Sequence, residues 1–205
     1  MNRHFSISTC LSVALAGSYL AGCASVVTVD AEFPPPLIER IPVRVGLLFD
    51  EALVDYEYFE EIPQQATWTI HLGDANELML SGLFDGMFLE TIAVDAVPLT
   101  SPDQNRLDGV LHTELEKFEF EVPIGDNDEF VEVWMQYRIK LYEPQGELIT
   151  EWPVSGYGKA ELENKEDSLN RATVVAMREV GAAISTQFAE HPPVDYWIQE
   201  RGEAE

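Results

Sequence analysis

"VEVWMQYRIKLYEPQGELITEWPV", Val131 to Val154, decides the fold. Val131, Val133, Met135, Tyr137, Ile139 and Leu141 take every odd position of its first half, with Glu132, Gln136, Arg138 and Lys140 between them. Successive side chains of a strand point to opposite faces, so this reads as one long strand with an apolar face and a wet face. Glu143-Pro144-Gln145-Gly146, with proline second and glycine fourth, is turn chemistry. Leu148, Thr150, Trp152 and Val154 then form the return strand. A hairpin solvated on one side needs an apolar layer on the other.

Outward from the hairpin, Gly109 to Val122 reads as a further strand. Its apolar phase changes between Leu115 and Phe118, which predicts a bulge or twist. "VRVGLLF", Val43 to Phe49, is a short β-branched run and predicts a buried strand, followed by a polar, aromatic-rich loop. Thr67 to Leu72 places Trp68, Ile70 and Leu72 on one strand face. Gly73 breaks it, and Asp74 with Glu77 has the spacing of a helix-opening capping box. Leu80, Leu83, Phe84, Met87 and Phe88 form the stripe of that helix, opposite Asp74, Glu77, Ser81 and Asp85. "TIAVDAV", 91–97, predicts another strand ended by Pro98. A second helix is expected over about 168–190, with Leu169, Ala172, Ala176, Val180 and Ala183 inward and Arg171, Arg178 and Ser185 outward. Two helices that must cover one sheet face give an α+β two-layer sandwich with a mainly antiparallel sheet. It forms a single domain over 43–190. Residues 191–205 read as an acidic tail whose Tyr196 and Trp197 tuck back.

Asp and Glu number 37 against 12 Lys and Arg, a formal net charge of -25. That field repels nucleic-acid phosphates and anionic head groups, so no nucleic-acid partner is expected and membrane association needs apolar or covalent anchoring. The two cysteines, Cys10 and Cys23, leave none downstream for a disulfide or thiolate metal site.

Residues 1–22 read as an export signal: Arg3 supplies the basic start, no acid occurs before Asp30, and "CLSVALAGSYL", 10–20, is an apolar run. The run is shorter than the roughly 20 residues that span a bilayer. Leu20-Ala21-Gly22-Cys23 resembles the lipobox of bacterial lipoprotein signal peptides. The resemblance implies cleavage between Gly22 and Cys23, a diacylglyceryl group on the Cys23 thiol, and anchoring of the chain by its lipid. Ala24 after the cysteine implies transfer to the periplasmic face of the outer membrane. Residues 23–42, with Pro34 to Pro36, then read as a lipidated N-terminus and extended tether with a reach of at most about 60 Å. The element order of 43–190 resembles, by topology alone, the lipopolysaccharide-assembly lipoprotein and auxiliary lipoproteins of lipid-trafficking ABC transporters.

Catalytic constellations are not evident. "SGYGKA", 155–160, lacks the earlier glycine and the hydroxyl residue of a phosphate loop. His71, His112 and His191 are far apart, and "GDNDE", 125–129, lacks most of a calcium loop. No catalytic residue, cofactor or metal is therefore expected. Phe130, Trp134 and Tyr142 fall on the polar face of the long strand and are the candidate partner surface. The expected function is that of a noncatalytic accessory or assembly subunit for an envelope partner. The alternative is a carrier holding an acyl chain between helices and sheet.

Overall fold

The computed structural model describes residues 24–62, 66–100, 106–123 and 129–202. The long hairpin forms as its alternation dictates: β7 (Phe130–Tyr142) buries every odd residue from Val131 to Leu141. It pairs antiparallel with β6 (Gly109–Glu121) on one side and β8 (Leu148–Glu161) on the other. The Glu143 carbonyl accepts from Gly146 N–H at 2.9 Å, and Gly146 has φ 98, a conformation that glycine adopts without a Cβ penalty. In β6 the register shifts between Leu115 and Lys117, where the apolar phase changes. The bulge brings Phe118 onto the face already occupied by Leu111 and Thr113.

Elsewhere the sheet is mixed rather than mainly antiparallel. β2 (Ile41–Leu48) lies parallel to both β6 and β5 (Phe88–Ala93), giving the order β5-β2-β6-β7-β8. The strand expected over 91–97 thus starts earlier, directly out of the preceding helix, because Phe88 is buried between Phe84 and Phe188. A second sheet, β1-β4-β3, is built from β1 (Ala24–Thr28), β3 (Glu57–Glu61) and β4 (Thr67–His71). The expected loop after Phe49 therefore contains a short helix, α1 (Glu51–Val54), and the strand β3. Trp68 and Tyr58 of the small sheet meet Phe118 and Phe120 edge-on, at 5.2 to 5.9 Å between rings.

Two long helices complete the layer on that face, and the α+β sandwich stands. α2 (Gly73–Met87) opens one residue before Asp74, and Leu72, itself buried, occupies the cap position with no side-chain hydrogen bond. The capping box does not form. Asn76 of α2 accepts the Tyr137 hydroxyl at 2.6 Å and donates to the Leu53 carbonyl at 3.3 Å, tying α1, α2 and β7 through buried groups. α3 (Lys165–Gln187) is capped by Asn164, whose Oδ1 accepts from Glu166 and Asp167 N–H. It lies on β8 at Gly156 and Gly158, where a Cβ would overlap the carbonyl oxygens of Ala176 and Ala172. Small residues on both surfaces let the backbones touch.

The two flanks expected to be appendages belong to the fold. Val27 and Val29 are buried, β1 runs parallel to β4, and Ser25 Oγ donates to Glu166 at 2.8 Å. Arg178 donates to the Glu32 carbonyl at 3.0 Å, and Asp30 and Asn170 exchange two further bonds. Residues 24–36 are therefore docked along α3 rather than free, because buried Val27 and Val29 outweigh the linker signal of the prolines. The tail is likewise a helix, α4 (Pro192–Gly202), opened by its prolines. Trp197 is buried and donates to the Asp108 carbonyl at 3.3 Å, and Arg201 grips Glu143 at 2.7 Å. Tyr196 points outward, 64% exposed.

Two outcomes follow from this packing. Gly158→Ala should lose about 2 kcal/mol or more by overpacking, whereas Gly82→Ala, with open space at its Cβ, should gain about 0.5–1 kcal/mol; urea unfolding reads both. Burial, then a hydrogen bond to Glu60, raises the Tyr58 hydroxyl from 10.0 to about 12. A folded pKa above the unfolded one gives stability that is complete below pH 10 and lost as pH climbs toward 12. Tyr58→Phe should flatten the fall in melting temperature across that window, and an unaltered slope would refute the assignment.

Candidate functional site

The wet face of the hairpin is where an aromatic group is displayed. Cross-strand pairing sets Trp134 opposite Tyr157 and Glu132 opposite Lys159, while Glu119 and Lys117 of β6 face Trp134 and Gln136. The Trp134 and Tyr157 rings lie 5.4 Å apart at 43°. Tyr157 donates to Glu132 Oε1 at 2.8 Å, and Lys159 Nζ stands 3.1 Å from the same oxygen. These two donors hold the Glu132 carboxyl below its ordinary pKa, and the same bond raises the Tyr157 hydroxyl. Lys159 also covers the Phe130 ring at 4.1 Å, a cation–π contact. Phe130 and Trp134 remain 36% and 39% exposed.

Beside Trp134 a groove of about 350 Å³ runs between Lys117, Glu119, Gln136, Ser155, Tyr157 and Glu179. Glu179 reaches from α3 around β8 to accept the Tyr157 N–H at 2.6 Å. That bond occupies an edge-strand donor that would otherwise invite another chain. Tyr142 does not join this surface. It pairs with Val110 at the far end of the hairpin and packs against the cluster of Val94, Leu107 and Val110. Tyr157, which completes the aromatic pair, comes from β8, beyond the candidate residues of β7; strand alternation along β8 is the signal that places it on the same face.

Further along the face the charges are paired. Arg138 Nε meets Glu116 Oε1 at 2.5 Å and Gln136 donates to Oε2 at 2.7 Å, lowering the Glu116 carboxyl; Arg138 also reaches Glu151 at 3.5 Å. Lys140 Nζ sits 2.6 Å from Glu114 Oε1. The three histidines stay apart: His71 pairs with Glu57 at 3.1 Å, and His191 stacks on Trp152 at 4.8 Å. His112, however, lies between Asp50 and Glu114, which the sequence reading had not joined to it.

Within the helix–sheet layer where a carrier would hold an acyl chain, the α3–β8 part is filled by Leu169, Ala172, Ala176 and Val180 against glycine backbone. A cleft of about 290 Å³ lies instead between α2, α3 and Pro34 to Pro36, lined by Phe33, Met79, Leu83 and Met177. Gly22, Cys23 and residues 125–128 of "GDNDE" lie outside the described residues. No helix among the described residues is long and apolar enough to cross a membrane.

No family model and no curated protein matches the chain. Among solved structures, protein XCC0632 of Xanthomonas campestris, assigned to family DUF330, superposes with TM-score 0.55 at 9% identity, covering 84% of this chain and 99% of that one. A Helicobacter pylori protein described as a homolog of neuraminyllactose-binding hemagglutinin gives TM-score 0.53 at 12% identity over 82% and 96%. A minor lipoprotein of Acinetobacter baumannii overlaps at TM-score 0.38 and 9% identity over 73% and 94%, too loosely to add to the comparison. The first two likenesses are likenesses of fold: this α+β sandwich also occurs, over most of its length, in two bacterial proteins.

If Trp134 is displayed rather than packed, its removal costs little. Trp134→Ala should lose no more than about 1.5 kcal/mol, mainly its contact with Tyr157. Trp152→Ala, packed on Phe188 and His191, should lose about 3–5 kcal/mol in the same denaturation series.

Proposed function

We propose that the chain is a lipid-anchored envelope protein of the bacterial outer membrane. Its domain acts without catalysis, as an accessory or assembly subunit that offers the Phe130–Trp134–Tyr157 surface to a protein partner. The observation that carries this reading is the position of β1. The strand starts at Ala24, one residue after the cysteine of Leu20-Ala21-Gly22-Cys23. Cleavage before Cys23 would leave every described element intact. A lipid on Cys23 would hold the domain with almost no slack, against the long tether that the prolines suggested.

Directionality supports the choice of surface. Ser25 bonds Glu166 at the start of α3, and α3 follows the end of β8, where Glu161 pairs with Phe130. Phe130 therefore lies at the end of the molecule where β1 begins at Ala24, and Trp134 lies four residues along β7. A partner engaging this surface would meet it beside the membrane. Exposed aromatics on a rigid strand are suited to the centre of such an interface.

Mass spectrometry of the protein from its native envelope should find an N-terminal, acylated Cys23, and Cys23→Ala should yield an unlipidated product. A retained, unmodified N-terminus would overturn the anchor. For the surface, a photo-crosslinking residue at Trp134 should capture one discrete partner in intact envelopes, whereas one at exposed Val175 on α3 should not. Equal labelling from both positions would refute the partner surface and leave the anchor standing.

A further inference from the structure

We propose that Asp50, His112 and Glu114 form a binding site for a divalent transition-metal ion such as Zn²⁺. The three contribute a carboxylate oxygen, an imidazole nitrogen and a second carboxylate oxygen, all within 4.8 Å of one another. His112 and Glu114 are two residues apart on β6, so the pleat sends both to the wet face. Asp50 comes from the turn that caps α1. Its Oδ1 is fixed by the Leu53 N–H at 3.0 Å, which leaves Oδ2 aimed at His112 Nε2 at 3.3 Å. Two donors each about 2.1 Å from a tetrahedral ion stand about 3.4 Å apart, so this pair already has the spacing of one edge of such a site. Glu114 Oε1 stands 3.6 Å from the other ring nitrogen, Nδ1, so its side chain must turn toward Nε2 to complete the set.

The donor set selects the class of ion. One imidazole with two carboxylates suits Zn²⁺ or Co²⁺, with water completing four-coordination; Ca²⁺ takes six to eight oxygens and makes little use of imidazole. The His112 side chain is 15% exposed, so the site is sheltered but reachable. Lys140, paired with His112 across the ladder, is the present occupant: its ammonium holds Glu114 Oε1 at 2.6 Å. Metal binding therefore displaces one ammonium contact with a doubly charged ion. This gives the site a signature that ordinary ion pairs lack: removing the lysine charge strengthens binding, because the cation that competes for Glu114 has gone.

The test uses the whole chain without a polyhistidine tag, carrying Cys10→Ser and Cys23→Ser so that no thiolate competes. Titration with Co²⁺ is read by visible absorbance, then with Zn²⁺ in competition. One ion per chain is expected. His112→Ala should weaken binding by about tenfold or more, and Asp50→Asn, which keeps the acceptor that caps α1, should weaken it similarly. Lys140→Met should tighten binding several-fold, and His71→Ala should leave it unchanged. Circular dichroism establishes that each variant is folded. Binding that survives His112→Ala, or no spectral change by about 1 mM Co²⁺, would overturn the site. Weaker binding in Lys140→Met would overturn its mechanism.

Discussion

The rest of the structure depends on the contact between the α3 backbone and the backbone of β8. Glycines at 156 and 158 remove the side chains that would hold the helix off the sheet, and Ala172 and Ala176 do the same from the helix side. Once α3 is seated, its polar positions organise the periphery. Glu179 closes the edge of β8, while Glu166, Asn170 and Arg178 fasten Ser25, Asp30 and Glu32 in succession. The N-terminal segment is ordered by this helix as much as by its own pairing with β4.

That order changes the physical meaning of the N-terminus. A proline-containing linker lets a domain wander, but a strand inserted parallel to β4 turns the same residues into a rigid mount. The start of β1 is coupled directly to the start of α3, near the end of the sheet where Phe130 and Lys159 meet. The excess of acid does not disturb the hairpin, because the basic residues on its wet face are matched to carboxylates opposite or diagonal to them. The uncharged break in this lattice is the Trp134–Tyr157 pair.

Legibility followed from how many residues shared one signal. The alternation of β7, the phase change in β6 and the stripes of α2 and α3 each rest on five or more side chains, and each was readable. β1 and β3 are five-residue strands. One was masked by the adjacent prolines, and the other, Glu57 to Glu61, carries three acids. α4 looked like a polar tail because its buried anchors are few and set among acids, chiefly Val194 and Trp197. At the candidate surface, exposure of Phe130 and Trp134 followed from strand parity. Parity could not say that Val94 and Leu107 pack against Tyr142, nor that Asp50 arrives beside His112 from 62 residues away.

By itself, then, the sequence determined which residues face inward along each long element, where the β6 bulge falls and that helices must cover one sheet face. Period-two and period-3.6 patterns are local, and burial of an apolar stripe is their only stable outcome. The tertiary structure alone decided which strands became neighbours and that several of them run parallel. It also decided that the N-terminal segment is a strand, and which outward-facing groups are covered, paired or left to meet a partner. Those outcomes rest on contacts between residues distant in sequence, such as Ser25 with Glu166 and Gly158 with Ala172, for which no local period carries a signal.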